Sequence, residues 1–352
     1  MSILAKLKSN TTIKESDILA DSKFFTKKDM IPTEIPVVNL ALSGRLDGGL
    51  TPGLTMWAGP SKHFKTAFSL LMAKAYLKKY EDAALLFYDS EFGTPQSYFT
   101  SFDIPMDRVL HTPVTDVEQL KFDVMKQLSE IESGDKVIII IDSIGNLASK
   151  KEVEDALDGK SVADMSRAKQ MKSLFRMVTP HLTMKDIPMV VVNHTYKEIG
   201  MFPKDIVGGG TGSYYSADNI YIIGRQQEKE GKDVVGYNFI INVEKSRYVR
   251  EKSKIPVTVT HGGGISRWSG LLDIALAGGF VVKPSNGWYS RVDIETGAVE
   301  EKKFRIKEVD TKDFWMPIVT SEKFNEYIKQ TYQVGHSAII TDEEIEEFVT
   351  NE

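Results

Sequence analysis

The chain has 352 residues, more than one ordinary domain, and its 41% hydrophobic and 26% charged residues are the balance of a soluble globular protein. A formal net charge of −5 argues against a protein that coats nucleic acid by bulk charge, so any nucleic-acid surface has to be local. The absence of cysteine excludes disulfides and thiolate metal sites; no apolar run reaches the ~20 residues of a membrane span, and Met1 to Asn10 lacks a long apolar signal core, so the expected location is the cytoplasm.

From the N-terminus, Ile3 to Lys28 sets Ile3, Leu4, Leu7, Ile13, Ile18, Leu19, Phe24 and Phe25 at roughly helical spacing, with little core of its own. It is either a frayed cap helix or an arm that docks on a neighbouring subunit. After Pro36 to Leu42 and a glycine-rich turn, Leu54 to Ala58 reads as a buried strand, followed by Gly59-Pro60-Ser61-Lys62-His63-Phe64-Lys65-Thr66 and a helix from Ala67 to Tyr80. This is the outline of a phosphate-binding loop, G-x-x-x-x-G-K-[ST], whose backbone N–H groups wrap phosphate while the lysine reaches its oxygens and the hydroxyl holds Mg²⁺. Gly59, Lys65 and Thr66 fit. Phe64 stands where the pattern wants its second glycine, so either the turn is bent differently or the site is impaired.

Ala83 to Glu91 is an apolar strand ending in two acids. At the carboxyl end of a parallel strand, Asp89 and Glu91 face the same crevice as the loop, where a carboxylate can polarise a water; the competing reading is that both merely cap the next turn. Tyr98 follows, as a core aromatic or as a flat face for adenine. Lys136 to Asp142-Ser143 is the most strongly patterned strand, a β-branched run buried on both faces, and its aspartate is placed as a Walker B acid beside Mg²⁺. Ser149 to Lys160 reads as a mobile loop. Ser161 to Val178 reads as a helix with Met165, Ala168, Met171, Leu174, Phe175 and Val178 on one face and Arg167, Lys169, Lys172 and Arg176 outside it.

Ile187 to Asn193-His194 is a third buried strand ending at the crevice; His194 is a loop histidine or a γ-phosphate sensor. The long loop from Thr195 to Gly212 carries Lys197, Met201, Phe202, Lys204 and the run Gly208-Gly209-Gly210, a composition suited to single-strand binding by stacking and charge. Tyr237 to Arg247 alternates into a strand that presents Lys245 and Arg247, either as exposed charges or as neutralisers of a phosphate. After Gly264 the composition changes: Leu271 to Ala277 reads as a helix, Trp288 to Lys307 as a hairpin interrupted at Glu295 to Gly297, and Glu322 to Tyr332 as a helix, together a small separate α/β module with an acidic tail. There is no internal repeat.

Taken in order, Gly-Pro-Ser-Lys-His-Phe-Lys-Thr, Phe-Tyr-Asp-Ser-Glu-Phe-Gly, Ile-Asp-Ser-Ile-Gly-Asn-Leu-Ala-Ser-Lys-Lys, Val-Asn-His-Thr-Tyr, Val-Gly-Gly-Gly-Thr-Gly, Val-Glu-Lys-Ser-Arg and Asn-Gly-Trp-Tyr resemble the RecA-type homologous-recombination ATPases, and among them the UvsX strand-exchange recombinases of T-even-like phages. A loop without its second glycine is itself similar to the phage branch. The resemblance implies an α/β fold: a RecA-like core over 31–270 with a mostly parallel sheet flanked by helices, a polymerisation arm over 1–30, and a small C-terminal α/β domain over 271–352. It implies ATP and Mg²⁺ as ligands, with Lys65, Thr66 and Asp142 as their holders, Glu91 as activator of the hydrolytic water and Tyr98 as the adenine platform. Lys245 and Arg247 would enter the neighbour's ATP site, and His194, where bacterial relatives have glutamine, would sense the γ-phosphate.

By the same resemblance, segments 149–164 and 195–212 are DNA-binding loops, with Lys150, Lys151, Lys160, Arg167, Lys197, Met201, Phe202, Lys204 and Gly208 to Gly210 against the strand. The expected partners are single-stranded DNA, homologous duplex DNA and further copies of the chain, with a single-strand-binding protein and a recombination mediator beside them and no membrane. The expected function is ATP-dependent strand exchange in helical filaments, serving recombination, recombination-dependent replication and repair. The alternatives are a hexameric helicase of the same fold, or a DNA- and ATP-binding paralogue in which Phe64 has ended hydrolysis.

Overall fold

A computed structural model describes residues 2–22, 29–159, 165–198, 205–230, 233–260 and 264–335. Helix α1 (Ile3–Asn10), capped by Ser2, buries none of its residues and leaves Ile3, Leu4 and Leu7 exposed. Helical geometry ends there, so Ile13, Ile18 and Leu19 lie in turns and irregular chain, not on the longer helix that their spacing suggested; Phe24 and Phe25 fall outside the described residues. In α2 (Pro36–Ser43) a proline opens the first turn and Gly44, in the left-handed region, closes the last.

The core then runs β1 (Gly53–Ala58), α3 (Lys65–Lys79), β2 (Ala84–Asp89), α4 (Gln96–Ser101), β3 (Val109–Pro113), α5 (Val117–Glu130), β4 (Val137–Asp142), α6 (Lys150–Leu157), α7 (Ser166–Met184) and β5 (Pro188–Asn193). It continues with β6 (Thr195–Lys197), β7 (Asp205–Val207), α8 (Thr211–Ser216), β8 (Asn219–Glu230), β9 (Asp233–Lys245), β10 (Lys254–Thr260) and β11 (Gly264–Ile265). Two expected loops are thereby corrected. Lys150 to Leu157 is a helix, because Ser149 accepts from the Glu152 N–H while the Glu152 side chain returns to the Ser149 N–H, a reciprocal cap. Within the second, Thr195–Lys197 and Asp205–Val207 pair as antiparallel strands, Thr195 opposite Val207 and Lys197 opposite Asp205. Residues 160–164 and 199–204, with Lys160, Met201, Phe202 and Lys204, lie outside the described residues.

Nine strands form the main sheet in the order β11-β10-β9-β8-β1-β5-β4-β2-β3. From β8 to β3 neighbours are parallel, while β9, β10 and β11 extend the sheet antiparallel. Both faces are covered. In β4, Ile138 and Ile140 join one apolar cluster with Trp57, Phe68 and Tyr221, while Ile139 and Ile141 join the other with Met56, Leu174 and Phe175. That double burial accounts for an unbroken β-branched run where a one-sided strand would alternate.

The C-terminal region comprises α9 (Leu271–Ala277), β12 (Val281–Ser285), β13 (Trp288–Arg291), β14 (Phe304–Arg305), α10 (Ile306–Val309), α11 (Lys312–Val319) and α12 (Glu322–Tyr332). The expected hairpin is present as β13 on β14, with Trp288 opposite Arg305 and Tyr289 opposite Phe304. Its other partner, β12, was not anticipated, although Asn286-Gly287 between β12 and β13 is a hairpin-turn dipeptide. Nor is the region separate in its packing: Phe304, Phe314, Trp315, Phe324 and Ile328 belong to the same apolar cluster as Val37, Leu40 and Val257. Removing the fully buried ring in Phe324→Ala should cost about 3–5 kcal/mol. Urea unfolding followed by tryptophan fluorescence and by far-UV circular dichroism should then shift both transitions together; an early separate transition would mean that the region folds by itself.

Candidate active site

Strand order decides what meets what. Because β1, β5, β4 and β2 are adjacent and parallel, the segments leaving their carboxyl ends lie side by side: 59–66 after β1, Asn193-His194 at β5, Asp142-Ser143 at β4 and Asp89 to Glu91 at β2. Residues 61–67, Glu91, Gly93, Thr94, Tyr98, Val192 and His194 line one cleft of about 350 Å³. Tyr98 forms part of its wall, half-buried and edge-on to Phe102 at 5.5 Å.

Phe64 does not bend the turn differently. It takes the left-handed backbone at φ 62°, ψ 15°, as a glycine would, and Lys62 does the same at φ 61°. Each such residue costs on the order of 1–3 kcal/mol unless its surroundings hold it. For Phe64 the surroundings are aromatic, with the ring stacked on Phe239 at 5.2 Å and edge-on to Phe68 at 5.6 Å. Helix α3 starts at once with Lys65, whose Nζ donates to the Pro60 carbonyl at 2.8 Å. Burial pulls the Lys65 amine below its ordinary range, against the upward pull of Glu91 and Asp142.

Thr66 Oγ1 donates to Asp142 Oδ2 at 2.6 Å, so the head of α3 is tied to the end of β4. Asp142 is 2% exposed, and burial pushes its carboxyl up to about 6 even though the Thr66 bond opposes the rise. Its Oδ1 is buried with no hydrogen-bond partner among the described residues. An orphaned carboxylate oxygen beside a threonine hydroxyl is a hard-oxygen donor set that suits Mg²⁺ completed by phosphate and water. No group of three or more His, Asp or Glu residues able to hold a metal occurs among the described residues.

The two acids of β2 divide the two readings between them. Asp89, buried, accepts from the backbone N–H groups of Glu91 and Phe92 at 3.0 and 2.7 Å and pairs with His111 at 3.1 Å, so it caps the turn. Glu91 faces the cleft, where Oε1 accepts from Ser143 Oγ at 2.6 Å and lies 2.9 Å from His194 Nε2. Two positions not singled out from sequence complete this corner. Ser143 supplies the hydroxyl, and Gly145 gives the imidazole room, since a Cβ there would stand 2.4 Å from His194 Cδ2. Glycine alone fits. His194 also joins the crevice to the segment that follows β7: its carbonyl accepts from the Gly208 N–H at 2.9 Å, and the Asn193 amide donates to the Gly208 carbonyl at 2.8 Å.

Lys245 and Arg247 lie elsewhere. Strand β8 runs parallel to β1 with Asn219 beside Thr55, and Lys245 pairs with Ile220. Arg247 Nε bonds Asp218, whose other oxygen accepts from the Leu54 N–H. Both cations therefore leave the sheet toward the start of β1, whereas the phosphate-binding loop leaves from its end. Lys245 Nζ donates to the Tyr214 and Tyr215 carbonyls at 3.0 and 3.2 Å. Of the residues expected against DNA, Lys150 is exposed, Lys151 pairs with Asp155 one helical turn on, and Lys197 pairs with Asp205 at 2.9 Å. Gly209 and Gly210 have φ of 87° and 77°. Arg167 departs from the solvated stripe expected of it: its guanidinium donates to the carbonyls of Ile144, Gly145 and Leu147 and ties α7 to the chain after β4.

This arrangement of phosphate loop, β4 aspartate and β2 glutamate is that of a RecA-type P-loop protein, and the comparisons agree. The RecA N-terminal domain model matches residues 20–266, and the model for the C-terminal domain of the bacteriophage T4 recombination and repair protein matches 268–328. The T4 recombination and repair protein is 50% identical over 353 residues, covering 99% of this chain and 90% of that protein. RecA of Streptomyces avermitilis is 26% identical over 277 residues, 78% of this chain and 71% of that one, and RecA of Bifidobacterium breve is 28% identical over 273 residues, 76% and 68%. The chain belongs to the RecA family, in the branch of the T4 recombination and repair protein. No helix among its described residues is long and apolar enough to cross a membrane.

The hydrogen bond from His194 is the largest cause holding the Glu91 carboxyl down at about 2; burial opposes it, and Ser143 and Lys65 assist. A carboxylate whose folded pKa lies below the ordinary 4.5 contributes stability that is complete above that pH and lost as pH falls toward 2. Glu91→Gln should therefore lose stability less steeply than the parent across that window, measured by urea unfolding at stepped pH. Parallel curves would mean that His194 does not hold Glu91 in solution.

Proposed function

We propose that the chain is an ATP-dependent strand-exchange recombinase, acting in the cytoplasm of a phage's bacterial host. It assembles as a helical filament on single-stranded DNA, pairs that strand with homologous duplex, and hydrolyses ATP with Mg²⁺. One observation carries the reading. His194 bonds the cleft carboxylate through its ring and the Gly208 N–H through its backbone, which supports a link between the proposed hydrolytic group and the proposed DNA-binding segment.

In this proposal Lys65 and the loop backbone hold the phosphates, and Tyr98 gives adenine a flat face. Thr66 and Asp142 would hold Mg²⁺, which supplies charge neutralisation when bound. Glu91, ionised throughout the neutral range, orients a water and accepts its proton. The support for His194 as sensor is its double attachment: a shift of the residue as a whole would change the partner of Glu91 and the footing of Gly208 together. Lys245 and Arg247 point away from their own loop, which supports their service to the site of the next copy. The unburied apolar residues of α1 suit an arm that packs on a neighbour. DNA and ATP, both bound by the assembled form, should then strengthen each other's binding.

The direct test is ATP turnover with and without single-stranded DNA, on the parent and on Lys65→Ala, with negative-stain imaging of the same samples. DNA stimulation, helical filaments and loss of turnover in Lys65→Ala are expected; rings would indicate a helicase, and no turnover a disabled loop. A mixing experiment tests the trans cations. Arg247→Ala and Lys65→Ala subunits should each be inactive alone, while an equal mixture should regain turnover at about a quarter of its interfaces, as a head-to-tail contact requires. A mixture that stays inactive would place Arg247 in its own subunit's site.

A further inference from the structure

The two strained residues of the phosphate-binding loop are held by one element outside it. Phe64 stacks on Phe239 of β9. Arg225 of β8 donates from Nη1 to the Lys62 carbonyl at 3.2 Å, and its guanidinium lies 4.8 Å from the Tyr237 ring centroid. Arg225 and Phe239 sit opposite each other in the β8–β9 ladder, and the Tyr237 and Phe239 rings are 6.1 Å apart. A continuous series, Lys62, Arg225, Tyr237, Phe239 and Phe64, thus leaves the loop at one left-handed residue and returns at the other.

We infer that the β8–β9 ribbon is a clamp that offsets from outside the loop the left-handed strain which Phe64 carries where a glycine would carry none, and that Arg225 and Phe239 are positioning residues for ATP. The physical argument is directional. In a trans peptide C=O and N–H point opposite ways, so a guanidinium drawing the Lys62 carbonyl outward turns the His63 N–H inward. Left-handed residues alternating with others make a concave nest of such N–H groups, the device by which backbone binds an anion. A glycine at 64 would adopt this shape without help; a phenylalanine adopts it because its ring has a stacking partner. Arg225 is exposed, and among its described contacts are this carbonyl and this ring. The inference rests on the reading that the loop binds ATP.

The test is the affinity of a fluorescent ATP analogue for the full chain, with a thermal melt of every variant. Arg225→Met, which removes the guanidinium at an exposed position, and Phe239→Leu, which keeps an apolar side chain but not the stack, should each weaken binding roughly fivefold to thirtyfold. In a Phe64→Gly background, Phe239→Leu should weaken binding by less than about twofold, because the loop no longer needs the stack. Equal loss from Phe239→Leu in both backgrounds would overturn the clamp and leave Phe239 as ordinary packing; parent-like affinity in Arg225→Met would remove that residue from it. Lys65→Ala separates the premise from the inference: parent-like affinity in it means that ATP does not use this loop, and the clamp falls with the site.

Discussion

A parallel sheet covered on both faces has no side through which a charged group can reach water. In β4 and β5 every described position from 138 to 142 and from 188 to 193 is buried, so the chain's chemistry is confined to the strand ends. The order β1-β5-β4-β2 brings those ends together, and the site follows from that confinement. Thr66 can bond Asp142, and Glu91 can meet Ser143 and His194, because four apolar runs of similar length stop at the same level. The carboxylates then part in character through small differences of surroundings. Asp142 is shut away and rises to about 6, whereas Glu91, offered donors at the mouth, falls to about 2.

Much of this was legible in the chain. The unbroken β-branched run announced β4, Lys65-Thr66 announced the head of α3, and the glutamate that closes Asp89-Ser90-Glu91 reached the cleft. What could not be read was which of two neighbouring acids would turn back on its own backbone, since that depends on the exact end of β2. Phe64 misled for a related reason. Its backbone preference is local and readable, whereas the ring that outweighs it, Phe239, lies far along the chain. Gly145 was equally hidden, because its need to be glycine arises only once His194 stands beside it.

Two further features are written in local chemistry. Ser149 and Glu152 spell a reciprocal helix cap, yet the charge of the segment suggested a loop. Asn286-Gly287 marks a tight turn that adds β12 to the expected β13–β14 hairpin. Arg167 is the opposite case: nothing in its helical spacing tells that three carbonyls left bare after β4 will claim its guanidinium. The hydrogen-bond needs of a distant backbone decided its role.

The opposed exits of β1 carry a geometric consequence for any assembly. If one copy's cations complete the next copy's pocket, the contact joins two different surfaces, and repetition makes a row with direction. One terminus then always carries a nucleotide cleft awaiting its cations, and the other a pair of cations with no cleft to fill. The two termini differ chemically even though every subunit is identical. In such a row a subunit at the first terminus would keep an unfinished cleft, so growth and loss at the two ends would follow different rules, and the direction of the row would be written into the sheet itself.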